Sequence, residues 1–295
     1  MHSADPNGPG VDSFDAENDI FWLDDIFDYE KLKPIFKKCG LPKYIVNDIS
    51  NEIFVDDPVI QSKIFCAPFT GFECMFLRNF KNFTFDNQHL PETLHTFNFM
   101  VNKKQINRYL CIKLVEWFNL KDYDYTWSGI GREFDMQSMI DEFNHSNIDQ
   151  ELRNFLLQPI SMPDKFYDFT EQSKTGSSVT NYGGNRHTWE LFGKNLFSHS
   201  AISLITESVW ENRVSALTEK TLYSILGLSF PIFVGGYRQA HAFRQVGFDA
   251  FDDIIDHSYT ELPMLWQRCY YAFEKNHKLL SNKEYATEMR IRCQH

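Results

Sequence analysis

The sequence predicts an α/β fold in which helices flank a parallel sheet. Three observations carry the prediction. Apolar runs of strand length alternate with stretches of helical spacing from about residue 96 onward. Phe97–Phe118 reads as a complete strand, loop and helix unit. Later, a helix that begins at Thr-Glu-Lys leads into a Pro-led apolar run closed by two glycines.

Along the chain, "MHSADPNGPGVDS" is small, polar and rich in turn formers, and residues 1–19 are expected to be a disordered tail. Residues 20–95 mix short apolar runs ("DIFWLDDIF", "PKYIVNDIS", "SKIFCAPFTGFECMFL", "NFTFDN") with turn signals, a pattern that does not separate helix from strand. Phe97–Val101 then reads as a buried strand and Asn102–Asn107 as a polar loop. Arg108–Phe118 follows as a helix with Leu110, Leu114 and Phe118 on one face. "DMQSMIDEF" and "NIDQELRNFLLQ" read as two more helices, the second capped by Asn147. Pro159–Asn185 is rich in Pro, Ser, Gly, Thr and Asn and reads as a long loop able to border a site.

The helix "WELFGKNLF" and the strand "AISLITESV" come next. In "ALTEKTLYSILGLSFPIFVGG", the Thr218 hydroxyl is placed to accept from a first-turn amide. Leu222, Ile225 and Leu226 recur at helical spacing, and Gly227 ends the helix. Phe230–Val234 is the following strand, terminated by Gly235 and Gly236. The helix "RQAHAFRQVG" and a long helix from about Leu262 to Leu280 complete the pattern, with 286–295 expected as a tail.

The 295 residues carry a net charge of −11, which repels phosphate backbones over most of a surface and argues against non-specific nucleic-acid binding. Six scattered cysteines (Cys39, Cys66, Cys74, Cys111, Cys269, Cys293) form no CxxC pair and fit reduced thiols in a cytoplasmic protein. No apolar stretch is long enough to cross a bilayer.

In an open parallel sheet, ligands bind outside the carboxyl ends of the strands. Four polar features fall there: Asn102–Arg108, Glu207 with Ser208, Thr218–Lys220, and Gly235–Arg238. A helix start favours an anion such as a diphosphate. Lys220 adds a point charge, Arg108 a planar fork, and Glu219 an acceptor for sugar hydroxyls. Each also has a plain structural reading: a solvated Glu-Lys pair at a helix start, an arginine serving its own helix, a glycine turn. His199 and His241 are expected beside this crevice, Arg268 within reach of it, and Arg244 on the surface. Asp122 and Asp124 form a DxD pattern, which in one transferase class holds a divalent metal. In "KDYDYTW" it reads instead as a surface turn, so no metal is expected.

These residues carry a resemblance. "FNFMVNKKQINRYLCIKLVEWF" resembles the strand and arginine-bearing helix that open the nucleotide-sugar domain of α1,3-fucosyltransferases and related phage-encoded glycosyltransferase-like proteins. "AISLITES" with "ALTEKTLYSILGLSFPIFVGG" resembles their acid-ended strand, TEK helix and Pro-led strand, and "VGFDAFDDIIDHSY" is similar to a run in the phage proteins. The likeness spans residues 96 to about 270 in order. It implies a GT-B arrangement: Rossmann-like parallel sheets with flanking helices, a reduced acceptor-side half over 20–95 and a nucleotide-sugar-binding half over 96–285.

By position, the resemblance gives Arg108 the donor diphosphate, Lys220 the phosphates and Glu219 the ribose hydroxyls. Glu207 would shape the donor pocket, while Thr218, Gly235 and Gly236 are donor-binding candidates from their helix-start and strand-end positions alone. The implied activity is inverting, metal-independent transfer from a nucleoside-diphosphate sugar to a glycan or to a hydroxylated base in phage DNA, in the host cytoplasm. A non-catalytic nucleotide-binding module is the alternative. Ser208 stands where the family has Asn, Ala216 where it has an aromatic residue, and the loop between them is longer. The donor's base and sugar are therefore not carried over. No family base has a match in 20–95, although Glu73 and Asp86 are acids in that half.

Overall fold

A computed structural model of the chain describes residues 2–3, 20–23, 37, 40–41, 43–47, 50–51, 58–66, 90–101, 105–127, 136–163, 165, 194–207, 214–215, 217–245 and 247–292. The site is positioned by a four-stranded sheet of β6 (His95–Met100), β7 (Tyr123–Thr126), β8 (Ser200–Ile205) and β10 (Phe230–Phe233). Its order is β10-β8-β6-β7 and every pair is parallel. Burial on both faces explains the apolar runs that announce β6, β8 and β10. Phe97 lies between Tyr123 and Ile202, with Phe230 beyond, and the next row is Tyr125, Phe99, Leu204 and Ile232. Each fully buried Phe or Leu in these rows stabilises the fold by about 1.5–3 kcal/mol.

Strand alternation sends the two sets of side chains to different helical layers. Phe97, Phe99, Val101, Leu204 and Ile232 pack in the larger core with α2 (Ile106–Trp117), α4 (Gln150–Leu156), α8 (Leu265–Lys275) and α9 (His277–Ser281). Ile205 and Phe233 pack on the other face with α5 (Lys194–Ser198), α6 (Glu219–Leu226) and α7 (Gln239–Gln245). The described region is thus a Rossmann-like α/β arrangement, with a parallel sheet flanked by helices.

Before it, β1 (His2–Ser3), β2 (Ile20–Leu23), β3 (Tyr44–Asn47) and β5 (Ile64–Cys66) form a second parallel sheet in the order β1-β2-β3-β5. α1 (Pro58–Gln61) leads into β5, and β4 (Ser50–Asn51) pairs antiparallel with β9 (Val214–Ser215). His2–Ser3 pairs with Phe21–Trp22, inside the expected disordered tail; 4–19 lie outside the described residues.

Several elements differ from expectation. α2 begins at Ile106, two residues before Arg108, so Asn107 and Arg108 belong to its first turn. "YDYT" is a sheet strand and not a surface turn, because Tyr123 and Tyr125 lie against Phe97 and Phe99 at ring distances of 5.3 and 5.5 Å. α3 (Gln137–Asn144) forms as expected. α4 is capped by Asp149 and not Asn147: its Oδ1 accepts from the amides of Glu151 and Leu152 at 2.9 and 3.1 Å.

The expected long terminal helix is broken at Asn276. Its amide group donates to the carbonyls of Ala272 and Asp256 and accepts from the Asp256 amide, which ties the joint to a neighbouring loop. The expected tail over 286–295 is helix as far as Arg292, in α10 (Lys283–Arg292). Arg290, 2% exposed, holds it down by donating to the carbonyls of Leu228, Gly227 and Ser198 at 2.7–2.8 Å.

Candidate functional site

From β6 the chain turns through α2 to β7 on one side, whereas from β8 it turns through α6 to β10 on the other. The carboxyl ends of β6 and β8 therefore form the point of reversal where open α/β sheets leave a crevice. The sequence places the first turn of α2 at the β6 end and Thr206–Glu207 at the β8 end.

The two ends are stitched together by buried polar groups. Asn107 Nδ2 donates to the Glu207 carbonyl at 2.9 Å. Arg108, 1% exposed, directs Nε and Nη2 at the Thr206 carbonyl, each at 3.4 Å. The Glu207 side chain turns the other way, toward the start of α6, and is fully buried. Its Oε1 accepts from the Thr218 amide at 2.8 Å and the Thr221 hydroxyl at 2.6 Å, and its Oε2 accepts from the Thr218 hydroxyl.

One expectation for the TEK turn is corrected here, and one contact is added to it. Thr218 occupies the N-cap position but makes no capping bond to a first-turn amide, because its hydroxyl donates to Glu207. The anion at the start of α6 is the chain's own Glu207 carboxylate, which meets the positive end of the helix and satisfies one of its amides from another element.

Lys220 is 4% exposed and lies among acceptors: Glu219 Oε1 at 2.9 Å, Thr218 Oγ1 at 3.3 Å and Glu207 Oε2 at 3.8 Å. Of the two acids beside Lys220, Glu219 reaches solvent, with 33% of its side chain exposed. Burial alone would raise the Glu219 pKa, but the charge and hydrogen bond of Lys220 outweigh it and bring the carboxyl down to about 2. Lys220 thus lies between two carboxylates, those of Glu219 and Glu207.

Gly235 closes the crevice from the β10 side. Its φ is +90°, and a Cβ there would stand 2.9 Å from the Asn107 Cβ and 3.0 Å from the Cys269 Sγ. Gly236 is equally enclosed, since a Cβ would meet the Gln239 side chain at 1.8 Å. Arg268, 1% exposed, does not serve the crevice as a loose cation. It donates to the carbonyls of Gly235, Leu262 and Pro263, each at 2.8 Å, and braces the chain after β10.

The remaining candidates are placed elsewhere. His199 is at the amino end of β8, where its Nδ1 is 3.0 Å from the Glu92 carbonyl, opposite to its expected place beside the crevice. His241 is in α7, and Arg244 pairs at the surface with Asp252. Asp122 accepts from the Thr96 amide and hydroxyl, and Asp124 pairs with Lys165, so both acids of the DxD pattern anchor the β7 edge. Among the described residues no group of three His, Cys, Asp or Glu is placed to hold a metal. Ser208, Ala216, Glu73 and Asp86 lie outside the described residues, as do 102–104 of the predicted loop.

Sequence reasoning missed Thr206 and Thr221 and named Asn107 only as the end of a loop, yet all three join the crevice walls. Their signal is slight: each is an ordinary polar residue next to a named one, at a strand end or in a first helical turn. No family model matches the chain, and no curated protein or solved structure matches it.

Proposed function

We propose that the chain is a GT-B glycosyltransferase that moves a sugar from a nucleoside-diphosphate donor to a hydroxyl acceptor, with inversion and without a metal. One observation supports the reading above all: Arg108 and Lys220, far apart in sequence, reach one dipeptide at the reversal point of a parallel sheet. Arg108 addresses the carbonyl of Thr206, and Lys220 the carboxylate of Glu207. A diphosphate entering there takes the place of Glu219 on Lys220, and Glu219, the solvent-reaching member, turns to the ribose hydroxyls. Positive groups held in a dry setting stabilise the charge that develops on a departing diphosphate. The acceptor is a glycan or a hydroxylated nucleobase in DNA, and the setting is the cytoplasm.

The alternative, a nucleotide-binding module without turnover, is favoured by the state of Glu207. This fully buried acid accepts from Thr218 and Thr221 and lies 3.8 Å from Lys220, so it is not presented to an acceptor hydroxyl. Thermal unfolding with UDP, GDP, CDP, dTDP and their sugars tests the pocket that both readings share, and a turnover assay with the ligand that binds separates them. A ligand that binds only the folded chain raises Tm by mass action, about 2.7 kcal/mol of stabilisation at one hundred times Kd. Lys220→Ala and Arg108→Ala are expected to remove that rise. Ligand response without hydrolysis or transfer selects the module, and an unchanged response in both variants overturns the site.

A further inference from the structure

The run "VGFDAFDDIIDHSY" takes no part in the site above, yet much of it lines an open cavity of about 640 Å³ next to β10, the edge strand of the sheet. In its wall lies His257, only 4% exposed. His257 Nε2 is 3.2 Å from the carbonyl oxygen of Pro231. A carbonyl only accepts, so Nε2 carries the hydrogen, and in the neutral ring Nδ1 is a bare acceptor. Burial lowers the imidazole pKa, which keeps the ring neutral at pH 7.

That Nδ1 is buried and has no hydrogen-bond partner. The carboxylate oxygen Oδ1 of Asp252 stands 3.5 Å from it, so two acceptors face each other with no donor between them. The neighbouring cations are already engaged. Arg244 spends its fork on Asp252, Lys275 is 3.5 Å from Asp256, and Arg238 is 3.6 Å from Glu261. Asp253, exposed in the same wall, has no hydrogen-bond or ion-pair partner among the described residues. Among the described lining residues, the one cation, Arg244, is spent on Asp252, and none is left for His257 Nδ1 or Asp253.

We propose that this cavity binds an aliphatic primary amine in its protonated form, with its N–H groups shared between His257 Nδ1 and the Asp252 carboxylate and its charge balanced by Asp253. The shape of the ion fits the need: an ammonium head offers three donors at once, enough to bridge two acceptors that a single neutral hydroxyl serves poorly. A divalent metal is disfavoured by the ligand set, since no three ligating side chains converge among the described residues. The cavity shares no residue with the Arg108–Lys220 site, and the proposal stands or falls separately from the transferase reading.

The test is a titration of the full chain, labelled with nitrogen-15 in histidine, at pH 7 with butylamine, 1,4-diaminobutane and tetramethylammonium. The primary amines are expected to move the His257 Nδ1 signal saturably and leave Nε2 in place. Tetramethylammonium, which has the charge but no N–H, is expected to leave both unmoved. Asp253→Asn, a change at an exposed side chain without partners among the described residues, is expected to weaken amine binding about threefold to tenfold, or roughly 1 kcal/mol, with Tm unchanged. The proposal is overturned by a free protein whose Nδ1 already carries a hydrogen at pH 7, by tetramethylammonium acting as strongly as butylamine, by magnesium ion displacing the amine from Nδ1, or by no saturable shift at all.

Discussion

Glu219 makes the state of the candidate site measurable. Its carboxyl titrates at about 2 in the folded chain against an ordinary 4.5, because the Lys220 charge outweighs the effect of burial. A lowered folded pKa means that the unfolded chain takes up the proton first. The stabilisation is therefore complete above about pH 4.5 and is lost as pH falls toward 2. Urea unfolding of the native chain and of Glu219→Gln across pH 2–6 checks this, and the native curve is expected to fall more steeply in that window.

Glu207→Gln is a second residue-scale prediction. The amide keeps one acceptor oxygen but turns an NH₂ group toward donors that Glu207 now satisfies at Thr218 or Thr221. The expected loss is about 1–3 kcal/mol by equilibrium unfolding. Removing Lys220 leaves Glu207 and Glu219 facing each other, and Lys220→Ala is expected to cost about 3–5 kcal/mol. Ligand response in that variant is therefore also checked by equilibrium binding at a temperature well below its own Tm.

At the scale of elements, the crevice depends on how closely the chain after β10 approaches the first turn of α2. Gly235 permits that approach through its positive φ and its missing side chain. Gly235→Ala strains the backbone and pushes against Asn107, Leu265 and Cys269 together, for an expected loss of about 2–3 kcal/mol in urea. Asn107 donates to the Glu207 carbonyl, so the same substitution is also expected to blunt any nucleotide response.

Elements whose burial is uniform were legible at this scale: β6, β8 and β10 are apolar because both faces are covered. β7 was not, because an edge strand with partly exposed faces alternates Tyr with Asp and so resembles a turn. α10 was hidden for a related reason. Its inward face is made of Ala286, Met289 and Arg290, and an arginine that donates to carbonyls carries no apolar period.

At the scale of the whole molecule, Arg290 joins the last helix to the amino ends of the strands. It reaches the Leu228 carbonyl before β10 and the Ser198 carbonyl before β8, with Thr93 Oγ1 before β6 at 3.2 Å. Arg290→Met removes these donors at once and leaves buried carbonyls unpaired. The expected loss is about 3 kcal/mol by chemical denaturation, with the site geometry at the opposite end of the sheet preserved.

The amino-acid order alone determined that three strands of this sheet, β6, β8 and β10, would be buried and parallel, since local hydrophobic runs and the helices between them record burial directly. It also marked Arg108, Glu207 and the Thr218–Lys220 turn as polar groups at strand ends. Only the tertiary structure decided that β6 and β8 are neighbours at the reversal point, that the Glu207 carboxylate and not the Thr218 hydroxyl serves the start of α6, and that Lys220 lies buried between two acids. Those outcomes depend on partners about one hundred residues apart for β6 and β8 and on the direction in which a buried side chain turns. Neither is written in local periodicity, because a hydrogen bond between distant segments leaves no pattern in the sequence of either one.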